Sequence, residues 1–161
     1  MSETKSITVN PIMREKIVSL EAKMRDYVRE HPDAEPQMPL RHTFAPGAYA
    51  RQLLIPAGSI VVGKIHKHAH LNMLMVGLAV VATEDGIQEY AAPYVFTSQP
   101  GTKRVVAAVT DVIWVTVHVT EETDLAKIEE QIIAPSYADY DAFAGIDVSA
   151  FAESILERIA P

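Results

Sequence analysis

Near the N-terminus, apolar residues recur at helical spacing. Ile17, Leu20, Met24 and Val28 share one face, and charged residues fill the other. This pattern predicts an amphipathic helix that ends at about His31. Asn10 suits the cap, Pro11 suits the first turn, and His31 is placed at the C-terminal end, where an imidazole favours the helix dipole. Prolines at 32, 36 and 39 then predict an extended strap.

From about residue 40 to residue 120 the pattern changes to short apolar runs between turn signals. Runs at 49–55, 59–72, 73–83, 88–91, 94–97, 105–109 and 112–119 read as strands. Pro56-Ala57-Gly58, Ala92-Pro93, Gln99-Pro100-Gly101-Thr102 and Thr110-Asp111 separate several of them, and Glu84-Asp85-Gly86 is a hairpin signal. Seven or eight short strands at this spacing predict a sandwich or closed barrel. Helical spacing returns with Leu125, Ile128 and Ile132 behind a cap at Thr120 or Thr123, and Ala134-Pro135 ends that segment. Short helices are predicted at 137–143 and 149–159, the latter with Phe151, Ile155 and Ile159 aligned. The expected fold is therefore mainly β, with an N-terminal helix and strap (1–38), a barrel (39–121) and a C-terminal helical extension (122–161) in one compact domain.

Composition narrows the function. A chain of 161 residues with 48% hydrophobic and 22% charged residues has the profile of one globular domain. Its net charge of −7, from 21 acidic against 14 basic residues, argues against nucleic acid or an anionic membrane as partner. The most apolar long stretch, 71–82, is too short at 12 residues to span a bilayer. The first ten residues lack the apolar core of a secretory signal, so a cytoplasmic location is expected. Without cysteine there are no disulfides, no thiolate catalysis and no sulfur-ligated zinc.

The candidate chemistry lies in the second run. Lys64, His66, His68 and His70 occupy alternate positions, and Asn72 continues the row. On an unbroken strand their side chains would share a face, at intervals of about 6–7 Å. A lone strand histidine is generally structural; three on one face, with His118 available from the last strand, predict a pocket. Imidazoles in such numbers suit zinc, iron, manganese or nickel. His42 is placed in a loop as a packing residue, and Glu84, Asp85, Glu89 and Asp111 are read as solvated turn residues. Trp114, Tyr49, Tyr90 and Tyr94 are assigned to core or interface. Tyr137, Tyr140 and Phe143 are assigned to a small docking face, with a dimer contact.

The spacing resembles the first motif of the cupin superfamily, Gly-x5-His-x-His-x3,4-Glu-x6-Gly. Gly58 and Gly77 stand in the glycine places and His66 in the second histidine place, while Lys64 replaces the first histidine and His70 replaces the glutamate. The segment 98–104 resembles the middle of the second motif, with Arg104 in its histidine place. The resemblance implies a cupin-type jelly-roll barrel. It also implies either a divalent metal held by His66 and His70, then His118, then His68, or a cationic pocket of Lys64, Arg104 and the histidines, with Asn72, for a carboxylate or phosphate.

A narrower likeness, over residues 39–132, is to small cupin-like proteins of bacteriophages and prophages. It rests on Ala45-Pro46-Gly47-Ala48-Tyr49-Ala50-Arg51, Gly63-Lys64-Ile65-His66-Lys67, Pro100-Gly101-Thr102-Lys103-Arg104 and Glu122-Thr123-Asp124-Leu125. It implies a place in the bacterial host cell or in association with the virion; a homodimer or higher homo-oligomer is expected from the aromatic residues near the C-terminus. The alternative to a ligand-binding cupin is then a structural jelly roll that assembles with other particle proteins. A regulatory role ranks last, since no basic recognition helix is evident.

Overall fold

The structure is a computed structural model that describes residues 9–160, with side chains at 148 and 150–152 excepted; the expected place of Phe151 on the last helix lies outside what is described. Helix α1 spans Pro11–Glu30. Its cap is the expected one, with Met13 N donating to Asn10 Oδ1 at 3.1 Å. His31 closes the other end, where its Nδ1 meets the Tyr27 carbonyl at 3.1 Å and its ring stacks on Tyr27. A single 3-10 turn at Pro32–Ala34 leads into the strap.

Three antiparallel sheets follow. The largest runs β1 (Leu40–Ala45), β2 (Ala48–Ile55), β10 (Val112–Val119), β5 (His70–Val76) and β8 (Tyr94–Ser98) in that spatial order. The second runs β3 (Ile60–Val62), β9 (Val105–Ala108), β6 (Leu78–Thr83) and β7 (Gly86–Ala91). A short ribbon pairs β4 (Ile65–His66) with β11 (Ile133–Ala134). The two large sheets enclose one core, with Ile55, Leu74, Val112 and Trp114 from the first and Ala79, Val81, Val106 and Ala108 from the second. Fully burying an aliphatic side chain of this kind contributes roughly 1.5–3 kcal/mol. The architecture is the expected one, mainly β as a jelly roll with helices at both ends.

Several expectations are corrected. The run 59–72 is not one strand: Gly63 donates to the Arg104 carbonyl and accepts from Lys103 Nζ, and a turn at 67–69 separates β4 from β5. The next run divides differently too, because Gly77, at φ 96°, breaks the chain between β5 and β6. His42 lies within β1 and not in a loop. Glu84 is no solvated turn residue. It sits at the β6–β7 hairpin tip beside the start of α1, where it accepts from Arg14 Nε at 3.0 Å and from Asn10 N at 3.0 Å. Arg14 also reaches both oxygens of Asp141, at 2.9 and 2.7 Å. Asp111 takes a fixed role as well, accepting from Ala57 N at 2.9 Å.

Three C-terminal helices complete the described chain: α2 (Leu125–Ile132), α3 (Tyr137–Ala144) and α4 (Val148–Ile159). Asp124, not either threonine, caps α2 by accepting from Ala126 N and Lys127 N. Ile128 and Ile132 of α2 pack on Tyr49. The aromatic cluster of α3 is mostly spent internally. Tyr140 is 2% exposed against Ile65 and Ala134, and the Arg14 guanidinium lies 4.3 Å from the centre of the Tyr137 ring, so these two tyrosines form no docking face. No described helix is long and apolar enough to cross a membrane.

Candidate functional site

Strand register decides which side chains meet. In the large sheet, His118 pairs with Tyr49, Thr116 with Arg51 and Asn72, and Trp114 with Leu53 and Leu74. Side chains two residues apart share a face, so Tyr49, Arg51, Leu53 and Ile55 of β2 point to the same side as Val112, Trp114, Thr116 and His118 of β10. That side is the barrel interior. It encloses a cavity of about 450 Å³, closed along one wall by Leu125, Ile128 and Ile132 of α2.

Three imidazoles converge there. His70 opens β5 one step beyond the pairing of Val117 with Leu71, which sets it beside His118. His66 arrives from the opposite side on β4, held by pairing with Ile133 and by Gly101 N donating to its carbonyl at 2.8 Å. The ring centres are 4.2 Å apart for His66–His70, 4.7 Å for His70–His118 and 5.1 Å for His66–His118. Two histidines four residues apart thus meet because the chain turns between them, not because one strand presents both. His68 does not join them. It lies on the turn, exposed, with its ring edge-on to Phe143, because the same turn that brings His66 to His70 sends it outward.

The cationic residues are also sorted by the fold. Lys64 stands at the rim, exposed and paired with Glu129 of α2. Arg104 is in the wall: its Nη1 donates to Ser98 Oγ at 2.8 Å, its guanidinium faces the Phe96 ring, and its Nε has no partner. Asn72, 1% exposed, accepts from Trp114 Nε1 at 2.9 Å and leaves its Nδ2 unpartnered. Neither arginine in the wall, Arg51 or Arg104, pairs with a carboxylate among the described residues. The charged lining is thus three cations against the single carboxylate of Glu129.

Sequence reading missed Tyr49, Arg51 and His42 as pocket residues. Tyr49 Oη and His42 Nδ1 are 2.7 Å apart, and both line the cavity. Period-two spacing in the 49–55 run was the available signal for Tyr49 and Arg51. Their inward direction, however, required knowing which face of that strand is covered.

The electrostatics follow from burial. Desolvation, then the neighbouring His70, His118, Arg104 and Arg51 charges, push His66 down to about 2. Burial, then His70 and Arg51, push His118 down to about 4. Burial also lowers His70, against a bond to the His68 carbonyl at 3.2 Å that favours a proton on Nδ1. All three rings are neutral at pH 7. Burial likewise raises Tyr49 and lowers Arg104. Three neutral imidazoles, one of them fixed by a backbone carbonyl, are a ligand set of the kind divalent metals take. Even so, no group of three His, Asp or Glu side chains among the described residues is arranged to hold a metal ion.

These histidines bind protons more readily when unfolded, near their ordinary value of 6.5, than in the fold. Stability is therefore full above about pH 6.5 and falls as pH drops towards about 4, by about 1.4 kcal/mol per unit for each affected ring. Urea titrations at pH 7.5 and pH 5 measure this. Replacing His66 and His118 with Gln should flatten the difference, and an unchanged pH slope in that variant would contradict the assignment.

No protein-family model and no curated protein matches the sequence. Solved structures do share the architecture. Ectoine synthase from P. lautus aligns at a TM-score of 0.50 and 14% identity, over 62% of this chain and 76% of that one. A cupin superfamily protein from Desulfitobacterium hafniense aligns at 0.46 and 13%, over 53% and 79%. An RmlC-like cupin from Shewanella frigidimarina aligns at 0.46 and 15%, over 56% and 82%. The fold is a jelly roll. Identities this low speak for the fold alone, and the site has to be argued from its own residues.

Proposed function

We propose that this cupin-type barrel binds a small anionic organic molecule in its interior. One observation carries the reading: the 450 Å³ cavity is lined by Arg51 and Arg104, and neither has a carboxylate partner. Partly buried cations are costly to leave unpaired, and an incoming anion supplies what the protein withholds. The unpartnered donors Arg104 Nε and Asn72 Nδ2 belong to the same wall. A jelly roll with a purely structural role has no use for such a cavity, since small barrels otherwise fill their interiors with side chains. This favours ligand binding over the assembly-module alternative.

The residues have separate roles. Arg104, anchored to Ser98, and Arg51 supply charge-assisted hydrogen bonds. The neutral histidines offer both donors and acceptors. Lys64 and Glu129 join the rim to α2, the wall past which a ligand enters.

Calorimetric titration with benzoate tests the reading. Saturable one-to-one binding is expected, and Arg51→Gln and Arg104→Gln should each weaken it by at least tenfold, in line with about 1.5–3 kcal/mol for a hydrogen bond to a charged group. The competing occupant is a divalent metal. Stoichiometric zinc, iron, manganese or nickel that survives both arginine changes and is lost in His66→Ala and His70→Ala, without anion binding, would replace the proposal.

A further inference from the structure

The cavity is two-sided along the strands, and this bears on what kind of anion enters it. At one end lie the row of Tyr49, His118 and His70 and the row of Arg51, Thr116 and Asn72. The next row is Leu53 with Trp114, and Ile55 lines the cavity beyond it. From the opposite sheet Val61 and Val106 face the same apolar end. Arg51 and Ile55 are four residues apart, a separation of about 13 Å along a strand. Polar groups are thus confined to one end of a cavity whose other end reaches the hydrophobic core, where Ile55 is 2% exposed and Val106 6%.

The anionic group can be narrowed as well. A phosphate is held through several oxygens, commonly by backbone N–H groups at a helix start. Among the described residues, α2 is the helix that borders the cavity, and its first amides are already taken by the Asp124 carboxylate. The planar guanidiniums of Arg51 and Arg104 present forks that match the two oxygens of a carboxylate. These features match a carboxylate better than a phosphate.

Resting on the anion-binding reading above, we infer that the ligand class is a small monocarboxylate with a hydrocarbon body. Its carboxylate lies at the Arg51–Arg104 end and its apolar part lies against Leu53, Ile55, Val61, Val106 and Trp114. The aliphatic floor selects by size and hydrophobicity, and the arginines select by charge.

Titration calorimetry with butanoate, hexanoate and octanoate at pH 7.5, against hexanol and inorganic phosphate, tests this class. Burying a methylene is worth about 0.8 kcal/mol, so affinity should rise about fourfold per added CH2. The heat-capacity change should become more negative along the same series. Hexanol and phosphate should both bind at least tenfold more weakly than hexanoate. Val61→Phe, which fills the apolar end, should remove the chain-length dependence. The wild-type heat-capacity trend decides the point if that variant does not fold. Phosphate binding as tightly as hexanoate, with no gain along the series, overturns the hydrocarbon part and leaves anion binding standing. Hexanol equalling hexanoate overturns the role of the charge. Absence of binding by every anion removes the underlying reading as well.

Discussion

Arg14→Ala is expected to lower the melting temperature by roughly 10 °C. Arg14 is 8% exposed and joins three parts of the chain that are distant in sequence: α1 itself, Glu84 at the hairpin tip and Asp141 on α3. Its bonds run from 2.7 to 3.0 Å, and the guanidinium also covers the Tyr137 ring. Desolvation opposes the charge at this depth, but the two carboxylates outweigh it and leave Arg14 raised above its ordinary value. Truncating it leaves two largely buried carboxylates without their counter-charge. Breaking a buried pair in this way costs about 3–5 kcal/mol, and a domain of this size loses about 2–4 °C per kcal/mol. Thermal unfolding followed by circular dichroism measures it. The triple variant Arg14→Met, Glu84→Gln, Asp141→Asn should recover much of the loss, because it removes the uncompensated charge. A shift under 2 °C in Arg14→Ala would show that the network does not hold α1 to the barrel.

Gly77→Ala is expected to cost roughly 3 kcal/mol or more, from left-handed strain and steric overlap together. Gly77 stands at φ 96°, and a Cβ there would lie 2.1 Å from the Asp111 carbonyl oxygen, a backbone atom that cannot swing aside. The nearby Gly58 is the control: its φ is also positive, at 79°, but its Cβ would meet nothing within 4 Å. Gly58→Ala should therefore cost only about 1 kcal/mol. Urea denaturation of both variants separates strain from clash, and equal losses would refute the overlap. The two residues that frame the first motif thus serve different purposes, one permitting a turn and the other permitting close chain approach.

How much of the site was legible varies residue by residue. His66 and His70 lie together, but not because one strand presents both. Alternation along one strand would have placed His68 with them, whereas the turn at 67–69 excludes it and brings the other two to 4.2 Å. His118 was legible because its strand was well bounded and antiparallel pairing could carry it across. Arg104 was found through motif spacing. Arg51 was not, because nothing local distinguishes an inward arginine on a strand from an outward one. Glu84 failed for a similar reason, since a hairpin tip reads as solvent-exposed until α1 is seen beside it.

The sequence alone determined the zones of helix and of strand, the cap at Asn10 and several of the turns, and the histidine row within a sandwich or closed barrel; the jelly-roll type came from the motif resemblance. These depend on local periodicity and on backbone constraints carried by single residues. Only the tertiary structure decided which face of each strand is interior, which charges find partners, and that Arg51 and Arg104 are left facing a cavity without one. Those outcomes depend on register between strands distant in the chain and on which elements cover them, which no local pattern specifies.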